Sequence, residues 1–279
     1  MGAVIRWGAC DCAFELETAE PDVGAHARTV FGPWVVPART PPRRRWHARR
    51  ARAGYALANG GTAPPTHFTG VRELVQAVEY EASATLAQGA GPRVAFHGAL
   101  VTRAGIAVLI LGAPETGKST LALALWQRGW TLKSDDLALV EGDTALAWPG
   151  PRRVSVRHAS RPLLGESLWR AIESCPSACA GAKGLLFHPD DVLPRPDRAP
   201  PSRLAAILLL GRAAPDAPLT PVVPAHALLV LPVYTQQSIE LGLGLSLERM
   251  RALASNVPVY TQGRAALGAQ VAQIDALFP

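Results

Sequence analysis

Residues 96–140 read FHGALVTRAGIAVLILGAPETGKSTLALALWQRGWTLKSDDLALV, and the order of patterns in this stretch decides the fold class. Ala99–Thr102 and Ala107–Leu111 are apolar runs of strand length, parted by a turn at Arg103-Ala104-Gly105. The second run enters Gly112-Ala113-Pro114-Glu115-Thr116-Gly117-Lys118-Ser119, which satisfies the spacing G-x-x-x-x-G-K-[ST]. Thr120–Arg128 reads as a helix stopped by Gly129, the residue type favoured just past a helix C-terminus. Trp130–Lys133 is again strand-like, leads to Ser134-Asp135-Asp136, and Leu137–Val140 continues as a strand. Strand, loop, helix, strand is a βαβ-type order and predicts an α/β fold with a sheet behind a phosphate site.

The chemistry of that loop follows from its residue types. Glycines let backbone N–H groups turn toward phosphate oxygens, which also meet the positive end of the following helix. Gly112, Ala113, Pro114, Glu115, Thr116, Gly117, Lys118, Ser119 and Thr120 are therefore the candidate nucleotide-binding residues. Lys118 is expected at the β- and γ-phosphates and the Ser119 hydroxyl on Mg²⁺, with ATP as the nucleotide. Asp135 and Asp136 follow Lys118 by 17 and 18 residues. One carboxylate beside such a loop serves the metal; a second, adjacent one exceeds that need and suits a general base for an attacking hydroxyl. The same Ser-Asp-Asp run also reads as a simple cap or turn. His97 precedes Lys118 by 21 residues and, taken alone, reads as a core histidine ahead of a strand.

Taken together, His97-Gly98, the loop 112–119, Arg128-Gly129 and Asp135-Asp136 resemble, in order and spacing, the catalytic core of the HPr kinase/phosphorylase family. The resemblance covers about 45 residues, roughly a sixth of the chain. It implies a P-loop fold related to phosphoenolpyruvate carboxykinases, a mixed sheet with flanking helices, and ATP-dependent phosphorylation of a protein serine. It further implies Asp136 as the base, Asp135 as the metal-side carboxylate and His97 as the neighbour that orients or tunes the base. Departures accompany it. Thr120 stands where the family usually has glutamate, and the later arginine-glycine-rich signature has no clear counterpart. The nearest analogue is Lys183-Gly184-Leu185-Leu186, with Lys183 a candidate phosphate or substrate contact. The chain is more similar to divergent HPr-kinase-related proteins of bacterial gene clusters, some of which phosphorylate the C-terminal serine of ribosomal peptides such as lasso-peptide precursors. The implied partner is a small protein or peptide carrying an acceptor serine. Full-length family members form rings, so a homo-oligomer stays open.

Outward from this core, residues 1–90 read as a separate small α+β region and 91–279 as the catalytic domain. The N-terminal part offers strand-like pieces at Ala3–Trp7, Ala13–Leu16 and Trp34–Val36, and a helix over Val71–Gln88 with one apolar stripe. Strands are expected at Leu204–Leu210 and Val257–Thr261, a helix at Leu247–Ala254 and a closing amphipathic helix at 264–277, while the proline-rich stretches 189–201 and 213–224 read as ordered surface loops.

The net charge of +6 is local. Seven of the 28 basic residues (Arg39, Arg43, Arg44, Arg45, Arg49, Arg50 and Arg52) fall within 39–52, and without them 21 basic residues face 22 acidic ones. A solvated mobile loop is the expected form of that run, the alternative being a patch for an acidic partner, phosphate or membrane surface that would make region 1–90 a substrate or partner dock; nucleic acid is not an expected partner. Cys10/Cys12 and Cys175/Cys179 lack zinc-ligand spacing and read as reduced thiols. No apolar run reaches the roughly 20 residues of a membrane span, and no charged segment followed by an apolar one opens the sequence, so a cytoplasmic location is expected. Two other functions compete with the peptide kinase. One is a small-molecule or carboxykinase-like phosphotransferase, for which Arg152, Arg153 and Arg157 are available without one being singled out. The other is a non-catalytic ATP-binding regulatory module.

Overall fold

The computed structural model describes residues 2–36, 39–89, 91–181, 184–194, 201–213, 217–236, 243–263 and 265–278. Lys183, Arg264 and parts of both proline-rich stretches (195–200 and 214–216) lie outside them. The chain divides into two compact units, 1–86 with 151–153, and 87–150 with 154–279.

The first unit contains β1 (Ala3–Ala9), β2 (Cys12–Thr18), α1 (Pro21–Phe31), β3 (Pro42–Ala51), β4 (Gly54–Ala58), β5 (Thr66–Phe68) and α2 (Val71–Gln88). Its sheet runs β1-β2-β3-β4-β5, parallel only between β2 and β3. Period-two alternation puts Trp7, Phe14 and Trp46 on one face, where Trp7 stacks on Phe31 of α1 with ring centroids 3.9 Å apart.

Most of the arginine run is not a loop: five of its seven arginines lie in β3, with Arg39 and Arg52 in turns outside it. Its charge is tolerated because acids of neighbouring elements meet it. Glu15 of β2 binds both Arg6 and Arg45, Glu81 of α2 binds Arg44, and Glu20 and Asp22 bind Arg50. Trp46 and Ala48, buried between the charges, supply the apolar face.

The second unit contains β6 (Arg93–Phe96), β7 (Gly98–Arg103), β8 (Ile106–Gly112), α3 (Lys118–Gln127), β9 (Thr131–Ser134), β10 (Ala138–Glu141) and β11 (Leu146–Pro149). Then come β12 (Val154–Arg157), α4 (Arg161–Leu164), α5 (Glu166–Ser174), β13 (Cys179–Gly181), β14 (Gly184–Phe187) and α6 (Pro189–Val192). It closes with β15 (Ser202–Ala213), β16 (Thr220–Val222), α7 (Pro224–Val230), α8 (Leu243–Asn256), β17 (Val259–Gly263) and α9 (Leu267–Leu277). The proline-rich stretches thus contain a short helix, α6, and a strand, β16, where loops are expected.

The main sheet is mixed. Its strand order is β6-β10-β11-β15-β8-β7-β9, with β17 also on β15 and β16 on β17. β8, β15 and β17 are mutually parallel, whereas β7 runs antiparallel between β8 and β9. The expected βαβ unit is therefore opened by one inserted strand.

Alternate residues of the central strands feed two cores. Val108, Ile110, Leu208 and Leu210 meet α3 and α9, while Leu109, Leu111, Ile207 and Leu209 meet α7 and α8. A sheet covered on both faces explains why its central strands are apolar at every position rather than at every second one. A second sheet, β12-β14-β13, joins the α3 side through Val154, Val156 and Phe187.

Candidate active site

β8 and β9 end at the same edge of the main sheet, the edge at which antiparallel β7 begins. The loop 113–117, Asp135-Asp136 and His97 leave the sheet at that edge, the carboxyl end of its parallel strands, where open α/β sheets collect ligands. The geometry needs a glycine after His97. A Cβ on Gly98 would come within 2.6 Å of a Leu111 methyl and 2.7 Å of the Ile110 carbonyl oxygen.

Gly117, at φ +98°, turns the loop into α3, whose N-terminus has no side-chain cap. The amides of Lys118, Ser119 and Thr120 open that helix, where N–H groups have no acceptor within the helix itself. Lys118 curls back, donating from Nζ to the carbonyls of Gly112 (2.9 Å) and Ala113 (3.2 Å). Burial pushes its pKa down, Asp135 and Asp136 pull it partly back, and Arg157 lowers it further.

The two aspartates have different surroundings. Asp135 is buried, accepting from the Ser119 hydroxyl at 3.0 Å on each carboxylate oxygen and from the Ser155 amide at 3.2 Å. A hydroxyl beside a carboxylate is a hard-oxygen donor set, suited to Mg²⁺ held by one or two protein groups plus phosphate and water. Asp136 is partly exposed and sits at φ +66°, with Leu137 N donating to Asp135 O at 2.9 Å. This is a γ-turn in the left-handed region, a strained conformation costing about 1–3 kcal/mol. Its Oδ1 lies 3.9 Å from His97 Nε2.

His97, Lys118, Ser119, Thr120 and Asp136 share one cavity of about 600 Å³ with Pro114, Glu115 and Gly117. The cavity also takes in residues that no motif singled out. Ser155 and Arg157 alternate outward from β12 while Val154 and Val156 point to the core. Ser160 meets the Thr120 hydroxyl at 2.7 Å. Arg157 Nη1 pairs with Glu115 Oε1 at 2.6 Å. Of the three arginines available to a carboxykinase-like reading, Arg157 lines the cavity. Arg153 is fully buried on Glu79 of α2, and Arg152 lies over the Tyr80 ring. The apolar and polar alternation Val-Ser-Val-Arg is the sequence signal that would have found β12. The candidate contact Lys183 lies outside the described residues.

No family model and no curated protein matches the sequence. Among solved structures, the chain is similar to the Hpr(Ser) kinase/phosphatase from Coxiella burnetii at a TM-score of 0.34 and 12% identity, over 66% of this chain and 89% of that one. A likeness this loose fixes neither the fold nor an activity.

Proposed function

We propose that the chain is an ATP-dependent kinase that phosphorylates a hydroxyl, a serine of a small protein or ribosomal peptide. The observation that carries this reading is the shared cavity: an uncapped helix N-terminus and Lys118 stand in it beside a second, partly exposed carboxylate, Asp136, next to the Ser119–Asp135 pair. Nucleotide binding alone needs no such carboxylate.

The roles follow from the surroundings. Bound Mg²⁺-ATP supplies the transferable phosphoryl group and its charge neutralisation. Lys118 and the first amides of α3 hold phosphate oxygens. Ser119 and Asp135 hold the metal. Asp136 receives the proton of the acceptor hydroxyl as its oxygen attacks phosphorus and the bond to the ADP oxygen breaks. His97 faces Asp136 and orients it. Arg157 is a second cation for the phosphoryl oxygens. Its pairing with the exposed Glu115 is worth about 0–1 kcal/mol, so an incoming anion displaces it at little cost.

The motif resemblance to HPr kinases favours this acceptor class over the carboxykinase-like alternative, for which the cavity offers Arg157 alone of the three arginines. The test is transfer from γ-labelled ATP to serine peptides encoded beside the gene, with serine-to-alanine peptides as controls. Label on the serine is expected. ATP bound tightly without transfer or hydrolysis under any condition would favour the regulatory module instead.

A further inference from the structure

Gln236 has no place in the motifs, yet it touches both groups that flank the reacting position of the proposed site. Its Nε2 lies 3.3 Å from His97 Nδ1 and also donates a short hydrogen bond to the backbone carbonyl of Asp136. The backbone holds it there. Tyr234 O accepts from His97 N at 2.7 Å, Thr235 bridges Phe96, and Gln236 N donates to Ala95 O at 2.8 Å. Residues 234–236 are thus zipped along 95–97, and the glutamine side chain reaches His97 and Asp136.

The chemistry of the amide settles which atom is which. A carbonyl oxygen at the Asp136 side would repel the amide oxygen, so the NH₂ group faces it, and this group only donates. One hydrogen serves the Asp136 carbonyl and the second points at His97 Nδ1. In a neutral imidazole one nitrogen accepts while the other carries the proton, so Nδ1 accepts and the proton resides on Nε2, the nitrogen 3.9 Å from Asp136 Oδ1.

We infer that Gln236 is a positioning residue that locks His97 in the Nε2–H tautomer and pins the γ-turn at Asp136, so that His97 turns an N–H toward the base, 3.9 Å away, rather than acting as a second base. The functional half of this statement rests on the kinase reading; the tautomer does not. With Nε2 protonated, His97 cannot accept the acceptor's proton, and the carboxylate of Asp136 is the one basic group of the pair. The strained turn also gains a fixed anchor on its carbonyl.

The test is long-range ¹H–¹⁵N correlation of the imidazole rings in the full chain, at a pH above the ordinary histidine range. The chain's seven histidines are sorted by the signals lost in His97→Gln. His97 of the wild type is expected to show an unprotonated Nδ1 and a protonated Nε2. Gln236→Glu places an acceptor opposite Nδ1 and is expected to invert the tautomer. Gln236→Met, which offers neither, is expected to give a mixture, and it serves where the glutamate variant fails to fold. Protonated Nδ1 in the wild type, or an unchanged tautomer in the folded variants, overturns the inference. Kinetically, Gln236→Met is expected to lower kcat about tenfold with the KM for ATP unchanged, a split that general loosening of the fold would not give. If no phosphate transfer is found at all, the tautomer result still stands or falls by itself.

Discussion

In the proposed site Lys118 combines two demands at one atom: the phosphate-binding role would need it charged, yet it is buried and its pKa is lowered from the ordinary 10.5. A lowered pKa means the charge is lost at a lower pH than a free lysine would lose it. ATP affinity is therefore expected to be full at neutral pH and to fall as pH rises through that depressed value. Lys118→Arg, if it retains binding, is expected to lack this alkaline limb because a guanidinium stays charged. Calorimetric titration across the alkaline range checks both. Arg157 gives a second residue-scale prediction. Arg157→Met removes a charge-assisted contact worth about 1.5–3 kcal/mol, so transfer is expected to drop about 10- to 100-fold in kcat/KM, and an unchanged value would take Arg157 out of the site.

At the scale of elements, the site depends on the close approach of β7 to β8. Gly98→Ala would drive a methyl into the Ile110 carbonyl and a Leu111 methyl, and overpacking of this kind costs about 1–3 kcal/mol. A lowered denaturation midpoint with an equal or larger loss of ATP binding is expected, because the strand carries the edge on which the loop stands. Elements of this type were legible in the sequence where backbone geometry restricts the residue: Gly112 and Gly117 around the loop, Gly129 after α3, and apolar runs at β7, β8 and β15. The insertion of β7 between β8 and β9 was not, since pairing order is set by long-range contacts that leave no local pattern. β3 was hidden for another reason: Arg44, Arg45 and Arg50 pair with Glu81, Glu15 and Glu20, which lie outside the strand, so it reads as a solvated run until these partners are in place. Arg157 and Gln236 reach the site through β12 and the 234–236 segment, at 39 and 118 residues from Lys118, a separation that no motif spans.

At the scale of the whole chain, several charged side chains of the described residues pair with acids on other elements. In the first unit, Arg153 is wholly buried, with its amide on Glu79 Oε1 at 2.7 Å and its guanidinium on Oε2 at 2.9 Å. Glu79→Ala would leave a buried cation without its carboxylate and is expected to cost about 3–5 kcal/mol in denaturant unfolding, far more than loss of the exposed Glu115–Arg157 pair. Among the described residues no helix is long and apolar enough to cross a membrane. In the second unit the main sheet brings two carboxylates to one edge, one on the Ser119 hydroxyl and one open to the cavity, and the account assigns them separate work. The direct test is single-turnover phosphate transfer to the acceptor peptide by Asp136→Asn, with ATP affinity measured on the same protein. Transfer reduced by about 10²- to 10⁴-fold with ATP bound as tightly as in the wild type is the expected result. Transfer at the wild-type rate would contradict it.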